Sequence, residues 1–329
     1  MSTKTPARRP PWAVILLIPV AAALVLTLFA WPQARMEPRD LPVGVAGPTA
    51  QVQQIEQKLE AQDGAFDVHR YADESEARDA IADRDIYGAI VATPSGAKIL
   101  TATAASPTVA QMITNAAHQS QAANPNAKVE LQDVAPARRV GALSAAILPL
   151  ILAGTLTAMI SGFFAASGLR RAAIVVLGAL LVGPAGALVV QNWLDVVDGN
   201  FAANAAALSL TVLAVAATVA GLEALLGHAG TLIGALTMIL IGNPFAAVAS
   251  GPEMLPRPVG ELGQLLPPGA GGNLLRSTGY FDGAAGAGHA AVLATWAALG
   301  IAAMLAGGVL SRRRATATAP VLRVAENAS

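Results

Sequence analysis

The residues with the most chemical reach in this chain are four histidines, a run of aspartates and one glycine pair, and none is spaced for catalysis. His69 and His118 each lack a second ligand at helical or hairpin spacing, so both read as surface or structural. Gly44-x-x-Gly47 follows an apolar run, but a dinucleotide loop needs a third glycine and a downstream acid, and a phosphate loop needs Gly-Lys-Ser/Thr. No serine sits in a Gly-x-Ser-x-Gly elbow. Asp73-Glu74-Ser75-Glu76 and the cluster Asp79, Asp83, Asp85 lack the Asp-x-Asp-x-Asp-Gly calcium pattern and read as a solvated helix face. With no cysteine there is no disulfide, thiolate nucleophile or thiolate metal site. The expectation is no catalytic residue, no metal and no cofactor, hence not an enzyme.

The stretch that invites a functional reading is residues 242–283, GNPFAAVASGPEMLPRPVGELGQLLPPGAGGNLLRSTGYFDG. Its prolines forbid one continuous helix, while Val259, Leu262, Leu265 and Leu266 would line one side of a short helical piece. Such a segment can lie on a membrane surface or dip into it, where polar groups must face protein or water. Its candidate pathway residues are Asn243, Pro244, Glu253, Gln264, Pro267, Pro268, Asn273 and Arg276. Pro267-Pro268 is expected to stop the amphipathic turn, and Gly269, Gly271 and Gly272 to permit a tight return. A plain surface loop is the competing reading.

The elements that must position this stretch are mostly apolar. The chain is 54% hydrophobic and 13% charged, against about 25% charged for a soluble domain. Its formal net charge is zero, which gives no basic field for nucleic acid. A polytopic α-helical membrane protein follows, with six spans at residues 12–31, 140–166, 172–191, 201–222, 229–248 and 288–310. Each is long enough for a hydrocarbon core of about 30 Å. Trp12 and Trp31 bracket the first, and Leu28-Phe29-Ala30-Trp31 is a poor signal-peptidase site, so an uncleaved anchor is expected. Residues 1–11 and 311–329 are expected in the cytoplasm, since Arg8-Arg9, Arg170-Arg171 and Arg312 to Arg314 fall on one side. Residues 249–287 then form an external re-entrant or interfacial segment. Charges sit only at span ends, so no proton relay or buried ion pair is expected. Gly230-x-x-x-Gly234 reads as a packing face.

Residues 32–139 are richer in charge and read as a small extracytoplasmic α/β domain inserted between the first and second spans, in the order β-α-β-α-β-β-α-β. Asp73 and Ser106 are placed to cap helices, the second with Pro107 behind it. Residues 38–136 are expected to fold alone.

The arrangement resembles the ABC-2 type transporter permeases, in particular the phage-infection-protein-like branch of high-GC Gram-positive bacteria. The resemblance is carried by Asp40-Leu41-Pro42-Val43-Gly44-Val45, Tyr87-Gly88-Ala89-Ile90-Val91, Ala104-Ala105-Ser106-Pro107, Gly242-Asn243-Pro244-Phe245 and above all Gly263-Gln264-Leu265-Leu266-Pro267-Pro268-Gly269-Ala270. It implies a permease of an ABC-type exporter in a bacterial cytoplasmic membrane, with a separate ATP-binding subunit inside. Nothing in this chain matches the ATP-binding pattern itself. The short pre-span segment and the short loop at residues 166–171 depart from the family, leaving little surface for that subunit. A non-transporting envelope receptor or scaffold remains the alternative, and the sequence leaves a homo-oligomer open.

Overall fold

In the computed structural model, residues 11–94, 96–124, 128–165 and 167–326 are described. Helix α1 (Pro11–Ala34) leads into β1 (Leu41–Ala46), α2 (Thr49–Glu60), β2 (Phe66–Tyr71), α3 (Glu74–Ala82), β3 (Gly88–Thr93), β4 (Gly96–Thr101), α4 (Pro107–Ala123) and β5 (Lys128–Asp133). Then follow α5 (Ala142–Phe164), α6 (Gly168–Ala187) with a π-helical turn at Leu188–Trp193, and α7 (Phe201–Leu226). Next come α8 (His228–Leu236) with a π turn at Thr237–Gly242, the single turn α9 (Asn243–Phe245), α10 (Val259–Gln264), α11 (Pro267–Tyr280) and α12 (Gly286–Glu326).

Six of these stretches are long and apolar enough to cross a membrane: Ile15–Ala34, Ala142–Phe164, Gly168–Trp193, Phe201–Leu226, His228–Phe245 and Gly286–Leu310. Helix α7 is the centre, with 78% of its apolar window buried, against 6% for α1. Its buried face is mostly Ala, Val, Thr and Gly, and small side chains let neighbours approach closely. At Gly300 of α12 an added Cβ would lie 2.3 Å from the Ala217 carbonyl, and at Gly230 of α8 2.0 Å from that of Leu222. The Gly230/Gly234 motif thus packs within the chain, against α7. Gly227 alone joins α7 to α8, at φ 67°, a conformation that glycine adopts without strain.

The five strands form one sheet in the order β2-β1-β3-β4-β5, parallel except for the β3–β4 hairpin. Asp73 caps α3 by accepting from the Glu76 amide at 3.1 Å, and Ser106 caps α4 by accepting from that of Val109 at 3.1 Å. Ala77, Ala80 and Ile81 are buried, as their spacing predicts. On α4 Val109, Ala110 and Ala117 are buried, and Met112 and Ile113 pack against the same cluster as Val109.

Two residues from outside the sheet complete its packing. Phe281, just after α11, joins Ala46, Ile81, Ile86 and Leu100 on one side. Met254 joins Leu41, Val43 and Val109 on the other.

No ion pair is expected within the spans, and the structure adds a largely covered one at their ends. Arg171 in the first turn of α6 and Glu223 in the last turn of α7 meet at 2.7 Å, their side chains only 13% and 19% exposed. Gly162 of α5 makes the room, since a Cβ there would lie 2.6 Å from both. The contact is charge against charge, and Arg171 Nε and Glu223 Oε2 have no hydrogen-bond partner among the described residues. Each residue sits at a span end, where a flanking charge is ordinary. Only the antiparallel packing of α6 on α7 brings the two together.

Candidate functional site at the helix α11 junction

Helix α11 begins where the two prolines allow it. Leu266 is extended at ψ 147° and Pro267 takes the first helical position, where a missing amide costs nothing. The expected tight return at Gly269, Gly271 and Gly272 is therefore corrected: all three lie inside a helix. Their lack of a side chain serves packing instead. A Cβ at Gly269 would lie 2.2 Å from the Gly263 carbonyl oxygen, one at Gly271 2.4 Å from Thr211 Cγ2, and one at Gly272 2.5 Å from Val248 Cγ2. The helix is buried nearly all round, as a core helix is. Just before it, Leu262 and Leu265 of the α10 turn point outward, 50% and 57% exposed, with Leu266 half-buried.

Within α11, Asn273, Arg276 and Ser277 fall at i, i+3 and i+4 and share one stripe. The buried Arg276 donates through Nε to the Ala104 carbonyl at 2.9 Å, through Nη1 to Asn273 Oδ1 at 2.6 Å, and through Nη2 to the Val248 carbonyl. Arg84, at the turn after α3, reaches the same stripe. It donates to Asn273 Oδ1 at 3.0 Å, to the Asn273 carbonyl at 3.3 Å and to Ser277 Oγ at 2.5 Å. Asn273 Nδ2 donates in turn to Gln264 Oε1 at 2.6 Å, and Gln264 Nε2 to the Ala246 carbonyl at 3.1 Å. Glu253 accepts from the Tyr87 hydroxyl at 2.8 Å.

The electrostatics follow from burial. Arg276 is pushed down to about 10, first by burial and then by the charge on Arg84, which is itself lowered by burial. Burial, with Glu253 next to it, raises Tyr87, and burial pushes Tyr280 up to about 12.

Further bonds tie the sheet to the segment before α11. Ser106 Oγ donates to the carbonyls of Ala249 at 3.1 Å and Ser250 at 3.0 Å, and the Glu37 and Arg39 amides donate to Met254 and Glu253. Arg138, before α5, pairs with Asp195 at 2.9 Å and with Asp198 in the α6–α7 connection.

Of the residues singled out from sequence, Glu253, Gln264, Asn273 and Arg276 converge here, and Pro267 and Pro268 start the helix that carries the last two. Asn243 and Pro244 lie in the last turn of the fifth span. The Asn243 side chain makes no hydrogen bond among the described residues. Sequence reasoning missed Arg84 altogether and did not bring Tyr87 or Ser106 to this junction. Arg84 is flanked by Asp83 and Asp85, which disguises it as part of a solvated helix end; the mismatch of one arginine in that acidic run was the available signal. A cavity of about 220 Å³ opens at the junction, bordered by Arg84, Tyr87, Glu253, Gln264, Asn273 and His289.

The site has no nucleophile beside a base, and among the described residues no three His, Asp or Glu side chains group as a metal site would require. What it can do is hold two structural units in one relative position.

Residues 12–168 match the family model for ABC-2 family transporter protein. No curated protein and no solved structure matches the chain. The ABC-2-like stretch takes in α1, the sheet and α5, and ends as α6 begins, so it contributes Arg84, Tyr87 and Ser106 to the junction while α11 lies outside it. Together with six apolar helices, this likeness supports a multi-pass, permease-like membrane protein.

Proposed function

We propose that the chain is the membrane subunit of an ABC-type exporter of the phage-infection-protein-like branch, powered by a separate ATP-binding subunit. In this reading α1 and α5 to α12 form the membrane body in a bacterial cytoplasmic membrane, both termini are cytoplasmic, and the sheet domain is extracytoplasmic. The segment 249–287 is the outer mouth of the pathway, with α11 as its re-entrant helix. The observation that carries the reading is the network through which Arg84 and Ser106 clamp the sheet domain onto α11 and the loop before it. A domain so fixed to a re-entrant helix can gate it.

Basic residues support the orientation: Arg170, Arg171 and Arg312 to Arg314 share the side of the N-terminus, and Asp195 and Asp198 lie on the other. The few residues between α5 and α6 offer the ATP-binding subunit little, but α12 stays helical to Glu326, beyond the apolar window that ends at Leu310. That extension is the surface on which the subunit would push.

Purification in mild detergent with cross-linking tests the reading. A co-purifying nucleotide-binding protein, lost when residues 311–329 are removed, is the expected result. Its absence, with the sheet domain instead capturing an envelope partner, would favour a receptor or scaffold. Cysteines placed at Ser75 and Ser311 test the orientation: an impermeant thiol reagent should label position 75 and spare 311 in intact cells.

A further inference from the structure

Arg84 and Arg276 are two guanidinium groups bridged by one amide oxygen, Asn273 Oδ1, at 3.0 and 2.6 Å. Neither forms an ion pair among the described residues. Arg276 is buried and Arg84 half-buried, the latter with its guanidinium 5.6 Å from the centre of the Phe281 ring; cations so placed among neutral groups are incompletely compensated, and their mutual repulsion adds to that cost. The carboxylate on the same cavity is Glu253, already engaged by Tyr87. One positive charge is left over.

Arg84 also has donors to spare. A guanidinium carries five N–H groups in a planar fork. Arg84 spends both on Nη1 and one on Nη2, on Asn273 and Ser277, and its Nε–H and remaining Nη2–H have no acceptor among the described residues. Those two, on the edge of the fork, suit a bidentate oxyanion. The cavity that Arg84 borders measures about 220 Å³, far above the roughly 10–15 Å³ that one water needs. His289 and the second Nε2–H of Gln264 border the cavity as further donors, whereas the Tyr87 hydroxyl proton is spent on Glu253.

We infer that the junction cavity binds a singly charged phosphate group, held by the free edge of Arg84 and neutralising the Arg84–Arg276 pair. The phosphate is either free or the head group of an anionic lipid. The site would thereby stabilise the docked position of the sheet domain on α11. It does not rest on the transport reading, because its readout is binding.

The full-length protein in detergent and in nanodiscs tests this. Inorganic phosphate, against chloride at equal ionic strength, should raise the melting temperature saturably if the free anion is the ligand. Phosphatidylglycerol over phosphatidylcholine nanodiscs should do so if a head group is. Arg84→Gln should abolish the response and Arg84→Lys, which keeps charge but loses the fork, should weaken it. Glu253→Gln removes the competing carboxylate while leaving an acceptor for Tyr87, so the apparent Kd should fall several-fold; a purely structural cluster predicts no such gain. No response to either probe, an unchanged response in Arg84→Gln, or weaker binding in Glu253→Gln would overturn the assignment. Should Arg84→Gln fail to fold, the lysine and Glu253 variants decide.

Discussion

Arg84 and Asn273, 189 positions apart in the chain, are joined by a 3.0 Å hydrogen bond from Nη2 to Oδ1. That same oxygen accepts from Arg276, so a single neutral side chain organises two cations and connects a soluble-type sheet to a helix packed among membrane spans.

Asn273→Ala removes that shared acceptor and leaves two guanidinium groups under-satisfied. Loss of one partner from a buried polar group costs roughly 1–3 kcal/mol, and more where charge is involved. Thermal unfolding in detergent should show a lowered midpoint. Asn243→Ala, where no side-chain hydrogen bond is lost, should leave it in place. Equal effects at the two sites would remove Asn273 from its organising role.

Phe281 and Met254 each fill a place in the packing of the sheet domain from outside it. Phe281→Ala should destabilise by about 3–5 kcal/mol and Met254→Ala by about 2–5 kcal/mol, with limited proteolysis showing earlier release of the sheet domain. By the same reasoning residues 38–136 expressed alone should melt at a lower temperature than the domain does in the intact chain. A fragment as stable as the parent would mean that neither residue contributes.

The Arg171–Glu223 contact lends itself to a double-mutant cycle. Arg171→Met or Glu223→Gln alone strands one charge in a confined place and should cost roughly 1–3 kcal/mol, below the range for fully buried pairs. The double variant should cost less than the sum of the two. Strict additivity in urea or thermal melts would show that the pair is proximity without coupling.

All three tyrosines, Tyr71, Tyr87 and Tyr280, are raised above the ordinary phenol value, each first by burial. Ultraviolet titration of the folded protein should show less phenolate at about pH 10 than the denatured protein shows, and the deficit should disappear on unfolding. For an acid whose folded pKa is raised, the native state holds its proton longer than the unfolded one. Stability from Tyr87 is therefore complete below about pH 10 and is lost as pH rises above it. Arg84 and Arg276, lowered by burial, act in the opposite sense, so the contrast between wild type and Tyr87→Phe isolates the tyrosine: it should shrink above pH 10. A normal titration near 10 in the folded protein would place these phenols in water.

The spans were legible because length and apolarity alone decide them, and the alternation of strands and helices in the sheet because periodicity and the Asp73 and Ser106 caps are local signals. Asn273 and Arg276 stood out as polar residues in an apolar stretch. Arg84 did not, since its role comes from a turn that aims it away from its acidic neighbours. Glycine was ambiguous for a physical reason: absence of a Cβ permits both a turn and a close approach, and Gly269, Gly271 and Gly272 proved to be the second. The Arg171–Glu223 pair depends on a helix crossing that neither residue's surroundings report.

Helix α7, 26 residues long, measures about 39 Å at about 1.5 Å per residue, against a hydrocarbon thickness of roughly 30 Å. A lipid-facing helix of that length must tilt, protrude or thicken the bilayer around it. With 78% of its apolar window covered by other helices, α7 has almost no annular lipid to match. Hydrophobic mismatch therefore bears on the peripheral spans, α1 above all. A change in membrane thickness can reach the core mast of the protein only through its neighbours, and through the two charged fastenings, Arg138 and Arg171, at opposite ends of the α6–α7 hairpin.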